Sequence, residues 1–389
     1  MVPSGELSLF VFIDAFGWEL ARKYPFLDEI LVTKRPLGTV FGYSSTCDPT
    51  ILTGKLPREH GHFSFFYHNP AGSPFGICRL LRFLPKPITR RGRVRRVMSR
   101  LIRRYYGYTG YFQIYNMPFR YLPLFDYSEK RDIYQKGGIN GGCPTIFDHL
   151  RDNRIPFYLS DWRASEERNL RALSASLQRG EIRFAYLYLA AMDATLHAHG
   201  TDSPRVAAKI QWYEQQLRGI LEIAQQKYSQ VRMFLFSDHG MTDTVGLVDL
   251  RARIDTLGFR LGVDFNAVYD STMARFWFFN KQARERIVEA LGAEPHGRIL
   301  TRTDLTEYGC DFSDSKYGEL FFLLEPGHLL CPSYMGETPL AGMHGYAPGH
   351  KDSVALFASN VTPEPMPCRL DDLYGLMLSE VSTKSGATA

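Results

Sequence analysis

The residues LSLFVFIDAFGW, numbered 7 to 18, place an apolar run, with Ser8 as its one polar residue, directly before an aspartate, Asp14. A run of this length and β-forming content predicts a strand over Leu7–Ile13 in the interior of a parallel sheet. The carboxyl edge of such a sheet is where open α/β folds bind their ligands. Asp14 is therefore a candidate metal ligand, although a lone aspartate here could equally cap a helix or occupy a turn.

Two later predicted strands repeat this pattern. Phe184–Leu189 and Val231–Phe236 are each followed within a few residues by carboxylate and imidazole side chains, and a late glycine-rich loop adds another imidazole. Because parallel strands deliver their carboxyl ends to one edge of a sheet, we expect these groups to lie within a few ångströms of one another. The candidate metal ligands are Asp14, Asp193, His197, Asp238, His239 and His344.

The chemistry of this set indicates which ions it would bind. It is rich in carboxylate and imidazole and lacks thiolate, which suits a borderline divalent ion such as Zn²⁺. Two metals about 4 Å apart would hold both the attacking and the departing oxygen of a displacement reaction. The sequence therefore predicts two divalent metal ions, zinc first, with manganese or another divalent ion as the alternative. His199 and His350 are the alternative ligands to His197 and His344.

A stretch rich in hydroxyl groups, Tyr43–Cys47, precedes an apolar run that stops at Gly54, which predicts a helix. In an isolated helix, one of these hydroxyls would simply be the N-cap. Beside metal ions, a serine there could instead be a nucleophile, because a helix N-terminus stabilises an alkoxide or bound phosphate. Between Asp14 and this helix, the sequence predicts a helix over Trp18–Ile30 and a strand over Thr39–Phe41.

The composition bounds the class of protein. A chain of 389 residues can bury a large core, either as one α/β domain or as a domain with an inserted lobe. The six cysteines lack CxxC spacing, which predicts free thiols in a reducing compartment. No stretch approaches the ~20 apolar residues of a membrane span, and no basic region precedes the first apolar run as in a signal peptide. A cytoplasmic location is therefore predicted.

The positive charge is concentrated in one segment. Between His60 and Phe125 there are twelve Lys or Arg residues and no Asp or Glu, although the net charge of the chain is only +5. Residues 93–104 have helical spacing of apolar groups, which predicts a helix with one packed face. The packed face would hold Val94, Val97, Met98, Leu101, Ile102 and Tyr105, and the basic face Arg93, Arg95, Arg96, Arg100, Arg103 and Arg104. The basic face is either simply solvated or docks on an anionic membrane surface or polyanionic substrate.

The same segment interrupts the alternation of strands and helices. Residues 63–136 are dense in Pro, Tyr, Phe and Arg, which predicts an inserted aromatic and basic cap over the site. Residues 1–62 and 137–382 would then form the catalytic core, within which residues 255–307 form a small α+β element. The small, polar residues 383–389 predict a flexible tail.

In their order, these segments resemble the alkaline phosphatase superfamily, nearest its type I phosphodiesterase/nucleotide pyrophosphatase branch. The resemblance implies an α/β sandwich with a mostly parallel central sheet flanked by helices, and metal-dependent hydrolysis of phosphoric esters. It covers nearly the whole chain outside residues 63–136. Its strongest motifs are Asp193-x3-His197, Ser237-Asp238-His239-Gly240, and Leu52-Thr53-Gly54 followed by Pro57-x2-His60-Gly61.

The resemblance also implies a role for each candidate. The family places its nucleophile ten residues before the glycine of the Thr-Gly pair, which here is Ser44, with Ser45 as the fallback. One metal would be held by Asp193, His197 and His344, and the other by Asp14, Asp238 and His239.

Two departures from the family pattern matter. The branch usually has proline two residues after the nucleophile, where this chain has Thr46. Its phosphate-binding asparagine is not at the usual spacing, so Asn69 is only the nearest candidate for substrate binding.

The related sulfatases need arginine at the end of a Cys-x-Pro-x-Arg pattern, and Ile51 occupies that position after Cys47. Sulfatase chemistry is therefore not expected.

Together, the residues and the resemblance predict a two-metal hydrolase that cleaves a phosphodiester or pyrophosphate bond through a covalent phosphoserine. The expected partner is a small phosphate-ester substrate, nucleotide-linked or lipid-linked, and no specific nucleic acid is predicted. A phosphomonoesterase or phosphonate hydrolase of the same superfamily is the alternative. A membrane- or polyanion-binding protein with a vestigial metal site is a more distant third.

Overall fold

A six-stranded sheet forms the centre of the molecule in the computed structural model, which describes residues 5–81, 89 and 91–382. Numbered along the chain, its strands lie in the order β2 (Thr33–Leu37), β16 (Ala355–Ser359), β7 (Gln230–Phe236), β1 (Glu6–Ile13), β6 (Phe184–Leu189) and β5 (Phe157–Leu159). The last four strands in this order run parallel, and β16 is antiparallel to both of its neighbours. The mostly parallel central sheet predicted from the sequence is thus confirmed.

Strand β1 lies between two parallel neighbours, and its residues Leu7–Ile13 are completely buried. The ring of Phe10 stacks between those of Phe184 and Phe234, with centroid distances of 5.1 and 4.8 Å. Burial of one such side chain is worth roughly 1.5–3 kcal/mol. In this register β1, β6 and β7 end within one residue of one another. The residues that follow these three strands therefore emerge at one edge of the sheet.

Helices cover both faces of the sheet. The helices are α1 (Trp18–Lys23), α2 (Ser44–Thr53), α3 (Pro57–His60), α4 (Cys78–Leu81), α5 (Gly92–Tyr106), α6 (Ile146–Asp152), α7 (Glu166–Arg179), α8 (Ala191–His199), α9 (Pro204–Lys227), α10 (Leu250–Asp255), α11 (Lys281–Gly292), α12 (Arg302–Glu307) and α13 (Asp372–Ser382). Side chains alternate between the two faces along β1, so that Leu9 and Val11 pack with α1, α7, α8 and α9, whereas Phe10 and Phe12 pack with α2, α6 and α13.

The division of the chain into core, cap and small element remains a prediction, and the predicted tail, residues 383–389, lies outside the described residues.

The strands of a second, antiparallel sheet are β10 (Phe265–Tyr269), β11 (Met273–Phe278), β12 (Gly297–Ile299) and β13 (Leu320–Leu324). Their order in the sheet is β10-β11-β13-β12. Three further pairs are β3 (Phe66–His68) with β4 (Phe125–Tyr127), β8 (Thr242–Asp243) with β15 (Gly342–Met343), and β9 (Gly246–Val248) with β14 (His328–Leu330).

Two local predictions near the N-terminus are wrong. The strand expected over Thr39–Phe41 is instead β2, six residues earlier. Strand β2 lies at the edge of the sheet, where Pro36 is tolerated because no neighbour needs its missing N–H. The helix expected over Trp18–Ile30 ends at Lys23, since the residue before Pro25 is sterically disfavoured in the helical conformation.

Helix α5 is present, but it is rotated relative to the predicted orientation. Arg95, expected on the basic outer face, is buried and donates through Nη1 to the carbonyl oxygens of Tyr115 and Met117. Three apolar residues expected on the packed face are exposed instead, as described below. The hydrogen bonds of the buried guanidinium stabilise this rotation, and apolar periodicity alone could not reveal them.

The cysteines agree with the sequence prediction, since all six are free thiols. Cys47, Cys78 and Cys310 are buried. No helix in the described part of the chain is long and apolar enough to cross a membrane.

Candidate active site

Asp14 and Asp238 lie side by side at the carboxyl edge of the central sheet. Asp14 directly follows β1, and Asp238 lies two residues after β7. The chain turns at Ala15, whose φ is 62°, and the Ala15 N–H donates to Asp238 Oδ1 at 3.0 Å. On the other side, the Tyr188 hydroxyl donates to Asp14 Oδ2 at 2.7 Å. Each carboxylate is thus held through one oxygen while its other oxygen points into the site.

Asp193 and His197 lie one turn apart on α8, with 3.2 Å between Asp193 Oδ1 and His197 Nε2. The His197 Nδ1–H donates to the Gly342 carbonyl at 2.8 Å, which turns Nε2 toward the aspartate. His344 follows β15, and its Nε2 atom is 3.6 Å from the same Asp193 oxygen. These three side chains form the first of two groups.

His239 connects this group to the aspartates at the sheet edge. Its Nε2 atom is 3.0 Å from Asp238 Oδ2 and 3.9 Å from Asp14 Oδ1. Its ring stacks on that of His344 at a centroid distance of 3.7 Å. The His239 Nδ1–H donates to the Gly240 carbonyl at 2.9 Å, which fixes the ring with Nε2 toward Asp238 and Ser44. All six predicted ligands are therefore brought together in one six-residue cluster.

The two candidate serines have different surroundings. Ser44 is the first residue of α2, and its Oγ atom lies 3.1 Å from His239 Nε2, beside the cluster. Ser45 is buried, and its hydroxyl donates to the Phe63 carbonyl at 3.3 Å. The helix N-terminus thus directs the Ser44 hydroxyl toward the cluster and ties the Ser45 hydroxyl to the protein interior.

The cluster has the properties of a cation site. Buried oxygens of Asp14, Asp193 and Asp238, and the buried Nδ1 atom of His344, make no hydrogen bond. Within the group Asp193/His197/His344, and likewise within the group Asp14/Asp193/His239, the ligand atoms lie within 4.8 Å of one another. Across the described residues, no Lys or Arg forms an ion pair with these three carboxylates. Buried charges are normally paired or coordinate metals, so the residues present fit divalent cations.

The electrostatics agree with this conclusion. Burial, together with repulsion from Asp238 and Asp193, raises the pKa of Asp14 well above its ordinary value. Burial would also raise the pKa of Asp238, but the neighbouring His239 outweighs it and lowers that pKa. Burial and the other two imidazoles lower the pKa of His344, so its ring is neutral. A neutral imidazole is the form that binds a metal.

Beside the cluster lies a cavity of about 520 Å³, whose lining includes Asp14, Asp193, His197 and His344. One wall is aromatic, and the rings of Phe65 and Tyr115 stack in it at a centroid distance of 5.5 Å. The cavity also exposes carboxylates, two of which, Asp48 and Glu129, have no cationic partner in the described structure. Burial and repulsion from Asp132 raise the pKa of Glu129 to about 8. The cavity is also lined by Ser44, Tyr111, Asp132, Trp162, Asp270 and Met335.

Several residues of the site were not found from the sequence. Tyr188 could have been inferred, because alternation along β6 places it beside the end of β1. Glu129 and Tyr115 belong to irregular parts of residues 63–136, where no periodic pattern marks them. Asn69, the candidate for substrate binding, is not among the cavity residues: its side chain donates to Asp126 Oδ2 and accepts from the Gly72 N–H. Its amide is thus used within a turn.

The cluster, the serine at a helix N-terminus and the mostly parallel sheet define the class: the chain is a metal-dependent phosphoric ester hydrolase of the alkaline phosphatase superfamily. The type I phosphodiesterase/nucleotide pyrophosphatase family matches residues 8–347. The chain belongs to that family, and the resemblance drawn from its motifs is confirmed. A comparison with curated proteins gave no significant match.

Solved structures show the same fold. Murine ectonucleotide pyrophosphatase/phosphodiesterase 5 superposes with a TM-score of 0.67 at 16% identity, over 96% of this chain and 94% of that one. The human protein of the same name gives a TM-score of 0.68 at 17% identity, over 96% and 94% of the two chains. An inactive variant of the murine protein in complex with AMP gives 0.68 at 16% identity, over 97% and 95%.

Proposed function

We propose that the protein hydrolyses a phosphodiester or pyrophosphate bond in two steps, with Ser44 as the nucleophile. In the first step, Ser44 Oγ loses its proton and forms a bond to phosphorus, the bond from phosphorus to the leaving oxygen breaks, and the released oxygen takes up a proton. In the second step, water attacks phosphorus, the covalent phosphoserine is hydrolysed and the hydroxyl is restored. The observation that carries the proposal is the position of Ser44 Oγ, 3.1 Å from His239 Nε2 at the edge of the six-residue cluster.

The six-residue cluster would hold two divalent cations, for which zinc is the best candidate and manganese the alternative. When bound, these ions supply positive charge that offsets the charge developing on the nucleophilic and leaving oxygens. The protein's part is to fix the ligand atoms, which it does through the Tyr188 hydroxyl and the carbonyl groups of Gly240 and Gly342. One ion would be held by Asp193, His197 and His344, and the other by Asp14, Asp238 and His239.

The charge of the cavity supports a diester over a monoester substrate. A diester carries one negative charge on its phosphate, whereas a monoester carries about 1.5 to 2 near neutral pH. The described residues that line the cavity include no Lys or Arg, so no basic side chain there would offset the additional negative charge of a monoester. A higher kcat/KM for bis-p-nitrophenyl phosphate than for p-nitrophenyl phosphate would agree with this. The reverse order would favour the phosphomonoesterase alternative.

We further propose that the substrate is nucleotide-linked. Support comes from the aromatic wall, in which Phe65, Tyr111 and Tyr115 offer flat surfaces for a planar base, and from the AMP complex of the murine relative. A base of any kind can stack on an aromatic side chain, and each stacked base contributes ~1–3 kcal/mol to binding. A p-nitrophenyl ester of thymidine monophosphate should therefore have a lower KM than bis-p-nitrophenyl phosphate, and Tyr115→Leu should reduce that advantage.

The nucleophile is tested with zinc-loaded protein and bis-p-nitrophenyl phosphate. Ser44→Ala is expected to lower kcat about a thousandfold or more, because it removes the covalent route. Ser45→Ala is the matched control and should stay within a few fold of wild type, since that hydroxyl binds the Phe63 carbonyl. Mass spectrometry of acid-quenched wild type should find the phosphoryl adduct on the peptide that contains Ser44. Full activity of Ser44→Ala would refute the proposed nucleophile.

A further inference from the structure

Helix α5 exposes an apolar stripe to solvent. Val97, Leu101 and Tyr105 are 52%, 57% and 83% exposed, and their spacing of four residues places them along one side of the helix. We call the side of α5 that carries this stripe the α5 face.

Arginine side chains run alongside this stripe. The exposed Arg93, Arg100 and Arg104 lie next to it on the helix, and Arg96 and Arg103 flank them. The helix contains no Asp or Glu, and within the described ranges none of these five guanidinium groups pairs with a carboxylate. The α5 face thus combines unpaired positive charge with uncovered apolar surface.

The opposite side of the helix is anchored by polar groups. The buried Arg95 donates to the carbonyl oxygens of Tyr115 and Met117, and the Ser99 hydroxyl oxygen accepts from the Ile114 N–H at 3.1 Å. Burying an arginine while leaving three apolar residues outside is the reverse of what the hydrophobic effect favours in a free monomer. The orientation of α5 therefore holds the apolar stripe outward.

We infer that the α5 face docks on an anionic lipid bilayer, with Val97, Leu101 and Tyr105 entering the interface and the flanking arginines contacting lipid phosphates. An amphipathic helix that lies in a bilayer surface has this combination of an apolar stripe and adjacent basic residues. Charge complementarity identifies an anionic partner, and the apolar stripe selects lipid among anionic partners. A nucleic acid would engage the arginines but would leave Val97 and Leu101 in water.

The docking surface is joined to the catalytic cavity. Arg95 and Ser99 hold residues 114–117, and Tyr115 within that segment lines the cavity together with Tyr111. A bilayer bound to the α5 face would therefore contact the helix that supports the aromatic wall. The docking inference does not depend on the proposed hydrolysis.

The test is co-flotation of the full-length, zinc-loaded protein with vesicles. Vesicles of equal parts phosphatidylcholine and phosphatidylglycerol should carry the protein upward, whereas phosphatidylcholine alone should not. Arg100→Glu with Arg104→Glu should weaken binding at least about 25-fold, since each basic residue near an anionic surface contributes about fivefold. Val97→Ser with Leu101→Ser should weaken binding at least about fivefold, because two apolar side chains no longer enter the interface.

Matched controls carry the same substitutions on other surfaces. Val245→Ser with Leu247→Ser changes two apolar residues near β9 that are 77% and 51% exposed, and Arg168→Glu with Arg171→Glu changes two exposed arginines on α7. Both controls should float like wild type, and all variants should keep wild-type activity on a soluble ester.

Three outcomes would overturn the inference. One is binding that does not distinguish neutral from anionic vesicles. Another is unchanged vesicle binding by the Val97 and Leu101 variant together with tight wild-type binding to a single-stranded oligonucleotide, which would make the face a polyanion site. The third is a wild-type dimer that Leu101→Ser converts to a monomer, which would make it an interface between copies.

Discussion

At the scale of single residues, Asp14 shows how one side chain serves both fold and site. Its Oδ2 atom accepts from Tyr188, and its Oδ1 atom is buried without a hydrogen bond at the six-residue cluster. Outer partners of this kind fix the orientation of metal ligands, and their loss typically lowers metal affinity or activity about 10–100-fold. The geometry of the site therefore depends on residues that never touch substrate.

Tyr188→Phe tests this dependence. We expect a zinc affinity and a kcat/KM about 10–100-fold below wild type, because Asp14 is free to rotate, with only a small change in stability. Tyr186→Phe is the matched control, since it removes the same group from the buried tyrosine two residues earlier in β6. Metal titration of the apoprotein measures the effect, and equal affinities of the two variants would contradict it.

Glu129 offers a second test at this scale. In the folded protein its pKa is raised from 4.5 to about 8, so the folded state keeps a proton that the unfolded state releases near pH 4.5. Stability then falls as pH rises between these values, by about 1.4 kcal/mol per pH unit at most. Glu129→Gln lacks this loss, so its stability relative to wild type should increase from about pH 6 to about pH 8.

Urea unfolding at both pH values measures the change. Taking the difference between variant and wild type removes the contribution of the titrating groups that do not interact with Glu129. Glu222→Gln, on the exposed side of α9, is the control and should show no trend. A stability difference that stays constant across the range would show that Glu129 does not retain its proton.

At the scale of elements, predictability followed the strength of the apolar pattern. The central strands β1, β6 and β7 are rich in apolar residues, most of all toward their carboxyl ends, so both their positions and the convergence of the residues after them could be inferred. Strand β2 has the sequence TKRPL, which has no apolar pattern typical of a strand. It is a strand because it pairs with β16 at the edge of the sheet, and this long-range pairing could not be predicted from the local sequence. The orientation of α5 depends on carbonyl acceptors for Arg95 that come from a distant loop.

The loops after β1 and β7 contact each other through Gly17 and Gly240. A Cβ atom on Gly17 would lie 2.3 Å from the Gly240 Cα atom, and one on Gly240 would lie 2.3 Å from the Asp352 carbonyl oxygen. Gly240→Ala must therefore displace the loop that carries His239. We expect a loss of about 1–3 kcal/mol in the free energy of unfolding and weaker metal binding.

Gly219→Ala is the matched control, because no atom lies within 4 Å of its added Cβ in helix α9. It should stabilise the protein by about 0.5–1 kcal/mol through helix propensity. Denaturant unfolding and zinc titration separate the two variants. Wild-type zinc affinity in Gly240→Ala would mean that the loop accommodates a side chain without moving His239.

At the scale of the whole molecule, the site joins segments that span most of the chain, from Asp14 to His344. The sequence could predict which residues meet, because the parallel topology carries them to one edge. It could not predict the cavity walls, since Phe65, Tyr115 and Glu129 lie in irregular segments positioned only by tertiary packing. Metal chemistry was therefore more predictable than substrate recognition.

The cluster also predicts how the folded molecule responds to metal. Asp14, Asp193 and Asp238 repel one another in the folded state and separate on unfolding, so the metal-free protein should be destabilised by its own site. Zinc binds only the assembled site and should raise the free energy of unfolding by about 2.7 kcal/mol at a hundredfold excess over Kd. Asp14→Asn relieves the repulsion and weakens the site. The melting temperature of Asp14→Asn should therefore be higher than that of wild type in excess chelator near pH 8, and lower than that of wild type in zinc.

This reversal distinguishes a metal site from an ordinary buried network, in which removal of one carboxylate would destabilise the protein under both conditions. Asp202→Asn, at an exposed ion pair with Lys23, is the control and should shift melting equally little with and without zinc. Thermal unfolding of the three proteins in chelator and in zinc provides the measurement. If Asp14→Asn melts below wild type by the same amount in chelator and in zinc, Asp14 stabilises the fold without holding a cation.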